Sequence, residues 1–364
     1  MKNNLFVDIH VLQTIPPSCI NRDDTGRPKT AEYGGAQRAL ASSQSWKHAM
    51  REMFREEEMM PTGIRTKEVD KMITSAIESF ENTTPDPEKT AELALRLVKH
   101  YKEDVLFFIS PAEIELFAKD AVLYEKERQQ VEAEVAGKDK KEKDKALKKV
   151  DDNYKKMLKK DLASEISPDI QLFGRMFASD SDLNVDAAAQ VAFAIGTHPS
   201  KVEIDFFSAI DEKKSGTGAG HIDTQEFDSG VFYRYANVNA KVLKRTYGEA
   251  TGKIVRNYVK AFVLSMPSGK MNSHGNRTKP AYIYVTIQQD QPVYMGEAFE
   301  CPVKNRGEGY MGSSKDTLKK YAKDLYAVYG MPAAAFSTEV GNADGMSFPD
   351  LLDAVEQKVT ELFT

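Results

Sequence analysis

Cysteine is scarce in this chain: Cys19 and Cys301 are the only two among 364 residues. Two thiols cannot build a disulfide framework, and neither has a His or Cys neighbour at metal-ligand spacing, so both read as ordinary buried thiols. Long apolar runs are missing too. No segment approaches the roughly 20 apolar residues that span a bilayer. The first twelve residues alternate polar with apolar side chains where a leader would be basic and then hydrophobic. A cytoplasmic protein with no membrane partner is expected. Enzymatic signatures are absent as well: no Walker loop, no dinucleotide-binding glycine pattern after a strand, no His-Glu-x-x-His and no nucleophile elbow. The six histidines, at positions 10, 48, 100, 198, 221 and 274, are scattered, which suits structural or surface roles better than catalysis. The expectation is a chain without catalytic residues, metal or cofactor.

What is present is a globular composition, 41% hydrophobic and 29% charged, enough for one substantial core or two modest ones. The net charge of -5 argues against a protein that coats nucleic acid over its whole surface. The charge is nevertheless segregated: residues 138–160 hold eleven Lys against five Asp and Glu, about +6, which leaves the rest at about -11. That stretch reads equally well as a solvated helix face or as a nucleic-acid contact.

The segment Leu5 to Leu12 puts Leu5, Val7, Ile9 and Val11 on one side, the period-two pattern of a half-buried strand. Residues 16–35, rich in Pro, Asn, Asp, Thr and Gly, read as a long ordered loop. From Ser43 a helix follows, with Trp46, Ala49, Met50, Met53 and Phe54 on its apolar stripe and Gln44, Lys47, His48, Arg51 and Arg55 opposite. The pattern over 67–162 is almost wholly helical, and Ser110-Pro111-Ala112-Glu113 reads as a capping box with proline at the first helical position. Strand signals return at 202–210, 231–235 and 282–287, and two helices close the chain. An α+β sheet domain interrupted by a helical insertion is predicted.

Chemistry concentrates between Arg22 and Arg51. Arg22, Arg27, Lys29 and Arg38 precede a helix start carrying Ser42, Ser43, Gln44, Lys47 and Arg51. A helix N-terminus offers free N–H groups and about half a positive charge, so phosphate suits this place, although a solvated amphipathic helix looks similar. Asp23 and Asp24 form one carboxylate pair, read as an Asx turn with Arg22, Arg27 and Lys29 as ion-pair partners. Later, Val202, Ile204, Phe206, Ser208 and Ile210 alternate as in a hairpin arm, with Gly216, Gly218 and Gly220 at its turn. Because Phe206 and Phe207 are adjacent on a strand they face opposite ways, so only one can enter a core.

His10-Val11-Leu12, the run Pro17 to Asp24, Gly34-Gly35 and Ser42-Ser43-Gln44-Ser45 resemble the N-terminus of the CasC family, the backbone subunits of type I-E CRISPR Cascade complexes. Gly174-Arg175-Met176, Thr197-His198, Thr224-Gln225-Glu226-Phe227 and the run Ser229 to Asn237 are similar to the same family in the same order. The resemblance implies an RRM-like (ferredoxin-like) palm sheet at 1–58 and 227–364, a helical fingers insertion at 59–190, and a β-hairpin thumb at 197–226. It implies a non-catalytic protein that binds CRISPR guide RNA, lies against neighbouring copies of itself and other Cascade subunits, and meets the target DNA strand paired to the guide. Carried over residue by residue, the RNA contacts are Arg22, Lys29, Ser42, Gln44, Lys47 and Arg51 in the basic loop and helix. Arg175 and Met176 in the Gly-Arg-Met segment and Phe206, Phe207 and Ile222 in the thumb complete the set. Two alternatives stay open: a backbone subunit that also cleaves RNA with Asp23 or Asp24 and a metal, and a helical adaptor with no RNA role.

Overall fold

β1 (Phe6–Ser18) is the axis of the larger of two compact units, Met1–Met59 with Ala188–Thr364. The computed structural model describes residues 4–80, 85–98, 106–176, 181–210 and 219–363. Val7, Ile9 and Val11 are fully buried, as the period-two pattern requires, but so are Asp8, His10 and Leu12 on the opposite face. The strand is central and covered on both sides, not half-buried. Its polar residues are inside because tyrosines satisfy them: Tyr235 donates to Asp8 Oδ1 at 2.7 Å and His10 Nδ1 lies 2.9 Å from the Tyr233 hydroxyl.

The segment read as one long loop folds further. β2 (Thr30–Tyr33) and β3 (Ala36–Ala41) pair antiparallel with Tyr33 opposite Ala36, so Gly34 and Gly35 are the two central residues of a tight hairpin turn. Both have positive φ, 59° and 70°, as a primed two-residue turn demands. A Cβ on Gly34 would also strike the Glu300 carbonyl at 1.7 Å. Then α1 (Ser43–Glu56) begins at the N-cap Ser42.

The second unit, Met60–Ala187, is mostly helical. β4 (Ile64–Thr66) pairs with β5 (Phe107–Ile109), flanking α2 (Val69–Glu78) and α3 (Pro87–Leu97). α4 (Pro111–Glu134) opens with the expected capping box, Ser110 and Glu113 each bonding the other's backbone N–H. α5 (Lys140–Ser164) runs back along it, and α6 (Pro168–Phe173) follows. Asp151 on α5 accepts from Tyr124 and Arg128 on α4, at 2.7 and 2.6 Å, which fixes the charged stretch as an ordered helical hairpin. Ile73, Ala94, Phe117, Ala121, Leu158 and Leu162 form its core.

The chain returns to the first unit through β6 (Ala189–Val191), β7 (Ala194–Gly196), β8 (Glu203–Ile210) and β9 (Ala219–Asn239). α7 (Ala240–Tyr247), α8 (Thr251–Leu264), α9 (Met271–His274), β10 (Tyr282–Gln288), α10 (Met311–Tyr329), β11 (Ala334–Glu339) and α11 (Phe348–Glu361) complete it. The antiparallel sheet has the order β11-β10-β1-β9-β7-β3-β2, with β6 and β8 also pairing β9. α10 covers one face, packing Leu318, Ala322 and Tyr326 on Leu12, Tyr233 and Tyr235. α1 and α8 cover the other. Among the described residues no helix is long and apolar enough to cross a membrane.

Candidate nucleic-acid interface

Asn21 draws the basic loop onto the start of α1. Its carbonyl accepts from Lys29 N at 3.0 Å, and its side-chain Oδ1 accepts from Ser42 N at 2.8 Å. Ser42 in turn caps the helix through a bond from Ser45 N at 3.4 Å. Arg22, Lys29, Ser42, Gln44 and Lys47 therefore share one edge of the first unit, with Arg22 and Gln44 exposed and Lys29 and Lys47 part-exposed, while Ser42, expected to contact RNA, is buried at 7% exposure and serves as the cap. Asn21 is a positioning residue that charge and periodicity did not single out.

Three expectations for this edge are corrected by the side chains. Arg51, placed on the exposed face with Lys47, is 6% exposed and is buried along with Trp46, Met50 and Phe54 of α1. Arg38 is wholly buried and donates to the carbonyls of Gly196, Phe299 and Glu300 at 3.0 to 3.1 Å, so it ties the β3 edge together and offers nothing to solvent. Arg27 pairs with Glu226 of β9 at 3.0 Å, not with the adjacent carboxylates. Asp23 instead accepts from Thr25 N, Thr25 Oγ1 and Arg27 N at 2.8 to 2.9 Å, and these bonds, the Thr25 hydroxyl foremost, hold its carboxyl below the usual range. It is the cap of a turn. Among the described residues no three His, Cys, Asp or Glu converge as a metal site would need.

A cleft of about 290 Å³ lies beside this edge. Arg22, Ser45 and His48 line it from one side, and residues 265–269 with Arg277 from the other. This second wall follows α8 in a segment with no periodic pattern, so nothing in the sequence marks it.

The hairpin of β8 and β9 projects from the same region. Its root is tied down by Arg27 to Glu226, by Lys270 Nζ to Gln225 Oε1 at 2.8 Å, and by Gln225 to Asp205 at 3.0 Å. The register sets Ser208 opposite Ile222, Phe206 opposite Thr224 and Ile204 opposite Glu226, which puts Ile204, Phe206 and Ile222 on one face. They are 67%, 67% and 57% exposed. The other face carries Glu203, Asp205, Asp223 and Phe207, the last 39% exposed. Phe206 and Phe207 face opposite ways, as their adjacency on a strand requires, and both are exposed. Gly216 and Gly218, read as the turn, lie outside the described residues.

In the second unit Met176 is 83% exposed. Its neighbour Arg175 is not: the side chain is 2% exposed, pairs with Glu113 at 2.7 Å, and donates to the carbonyls of Leu183, Phe108 and Leu162. The expectation that Arg175 contacts RNA is corrected, since every arm of its guanidinium is turned inward. Eight of the eleven lysines at 138–160 are exposed, so the charge of that stretch does face solvent.

The arrangement offers donors for phosphate on one edge and bare apolar side chains for flat ring faces on a projecting arm. The sequence matches the family described as CT1975-like protein over residues 7–361. The fold is similar to a chain of a "CRISPR RNA-guided surveillance complex, pre-nicking", with TM-score 0.76, 30% identity, and coverage of 97% of this chain and 100% of that one. A chain of another "CRISPR RNA-guided surveillance complex" aligns with TM-score 0.61 and 27% identity, over 97% and 99% of the two chains. No curated protein matches the sequence.

Proposed function

The chain belongs to the CT1975-like family of Cas proteins, and from that membership we propose that it is a non-catalytic, guide-RNA-binding backbone subunit of a Cascade complex, of the CasC type found in type I-E systems. In this reading the antiparallel sheet is an RRM-like palm, the unit Met60–Ala187 the fingers, and the β8–β9 hairpin a thumb. Several copies line up along one CRISPR guide RNA beside the other Cascade subunits, and the guide pairs with its DNA target on that scaffold. The lysine-rich face of α5 then contributes positive charge toward target DNA.

The observation that carries this reading is the hairpin. An arm with Ile204, Phe206 and Ile222 more than half exposed on one face, rooted by Arg27 beside the basic loop, suits insertion between bases whose phosphates sit on Arg22, Lys29 and the start of α1. Gln44 supplies an uncharged donor to the same backbone, the buried Ser42 holds the first turn of α1 as its cap, and Met176 adds a further exposed apolar side chain on the fingers. The capping role of Asp23 supports a structural use of the Asp23-Asp24 pair.

Binding of the purified chain to labelled single-stranded RNA of unrelated sequences, titrated against salt, tests the reading. Affinity that falls steeply with salt and ignores sequence is expected. Absence of RNA binding under low salt would leave the adaptor reading. Incubation of the complex with Mg²⁺ or Mn²⁺ and labelled complementary RNA should give no product, whereas regularly spaced cuts that vanish in Asp23→Ala would make it a nuclease.

A further inference from the structure

β9 carries a cation into the core beneath α1. Arg234 is 1% exposed and stands opposite Val11 of β1, on the face covered by α1 and α8. Its guanidinium lies 3.6 Å over the Trp46 ring and 4.7 Å over the Phe262 ring. It donates to Gln13 Oε1 at 2.5 Å, to Val263 O at 3.4 Å and to Phe262 O. Among the described residues no carboxylate pairs with it. Its charge is balanced only by partial charges: the last-turn carbonyls of α8, one amide oxygen and two aromatic faces.

Burying an unpaired charge is costly, and a methionine would fill such a slot without that penalty. Packing alone therefore does not call for arginine here. Position supplies the reason. Trp46 is the fourth residue of α1, on the turn directly below the N-cap Ser42, so the cation stands behind the N–H groups that face the basic edge. A charge in a low-dielectric interior is felt further than one in water, and this one adds to the positive end of the helix.

We infer that Arg234 is a positioning residue for the RNA site: it fixes the first turn of α1 through Trp46 and strengthens the site's positive potential from within, without touching the ligand. This rests on the reading of α1 as a phosphate-binding element. Burial lowers its pKa to about 9, so it remains a cation at neutral pH. A lysine in the same place would titrate nearer neutrality, which separates charge from shape.

The test measures binding of a labelled single-stranded RNA by the wild type, Arg234→Met, Arg234→Lys and Lys47→Ala, at pH 6 and pH 8, at a temperature where circular dichroism shows each folded. Arg234→Met should bind about three- to tenfold more weakly at both pH values. Arg234→Lys should bind like the Met variant at pH 8 and recover toward wild type at pH 6, each relative to wild type at that pH. Equal affinities for wild type and both Arg234 variants would overturn the inference, and so would equal losses that do not respond to pH. If the Met variant fails to fold, the pH response of the Lys variant decides. Lys47→Ala separates the two levels: should it also bind like wild type, the phosphate site on α1 is wrong, whereas weak binding by Lys47→Ala alone refutes only the role of Arg234.

Discussion

Arg175 and Arg234 are both buried and both spend donors on backbone carbonyls, yet they sit in opposite electrostatic settings. Arg175, in the helical unit, meets Glu113, and the same carboxylate closes the capping box of α4. Its charge is cancelled where it stands, so it ties strand, helix and loop together and projects little. Arg234, in the sheet unit, meets no acid among the described residues and stacks on Trp46 in the first turn of α1. The residue type is the same; the presence of one carboxylate separates a structural clasp from a charge that works at a distance.

Breaking the clasp should give the largest effect. Removing one partner of a buried pair strands the other, at roughly 3–5 kcal/mol, so Arg175→Met or Glu113→Gln should sharply lower the urea midpoint of the helical unit. Replacing both should recover much of that loss. RNA affinity of folded Arg175→Met should match wild type. A drop in affinity with an unchanged midpoint would reverse the assignment and return Arg175 to the interface.

Phe206→Ala comes next. Stacking of a base on an aromatic ring contributes roughly 1–3 kcal/mol, and a side chain already 67% exposed adds little to the fold, so RNA binding should weaken with the melting temperature unchanged. Phe207→Ala, on the acidic face, should weaken it less; the opposite ranking would mean that RNA meets the other side of the hairpin. Lys47→Ala should lower the slope of log affinity against log salt by about 0.7, the amount for one phosphate on a single strand. The smallest effect belongs to Arg27→Ala: its ion pair with Glu226 is solvent-exposed, with side chains 65% and 21% accessible, and pairs of this kind contribute about 0–1 kcal/mol.

Local chemistry was legible in the sequence, while partnership across long separations was not. Ser110-Pro111-Ala112-Glu113 announces a helix start because all of its bonds close within four residues. The second task of Glu113, holding Arg175, spans 62 positions and leaves no pattern. The same limit explains β1, whose Asp8 and His10 look solvent-facing until tyrosines more than 220 residues away bury them. The β2–β3 hairpin did leave a trace, Gly34-Gly35, but the polar residues around it read as loop. Of the basic edge, Arg22, Lys29, Gln44 and Lys47 reach solvent, whereas Ser42 and Arg51 are buried, and the tertiary packing that covers Arg51 one turn after Lys47 leaves no mark in the helical periodicity.

The central claim, a backbone that assembles copy by copy on RNA, is tested most directly by the mass of the complex formed with single-stranded RNAs of increasing length, measured by light scattering. The number of chains bound should rise in even steps as the RNA is lengthened, with a fixed count of nucleotides per step. A single copy per RNA at every length, with chain in excess, would contradict it.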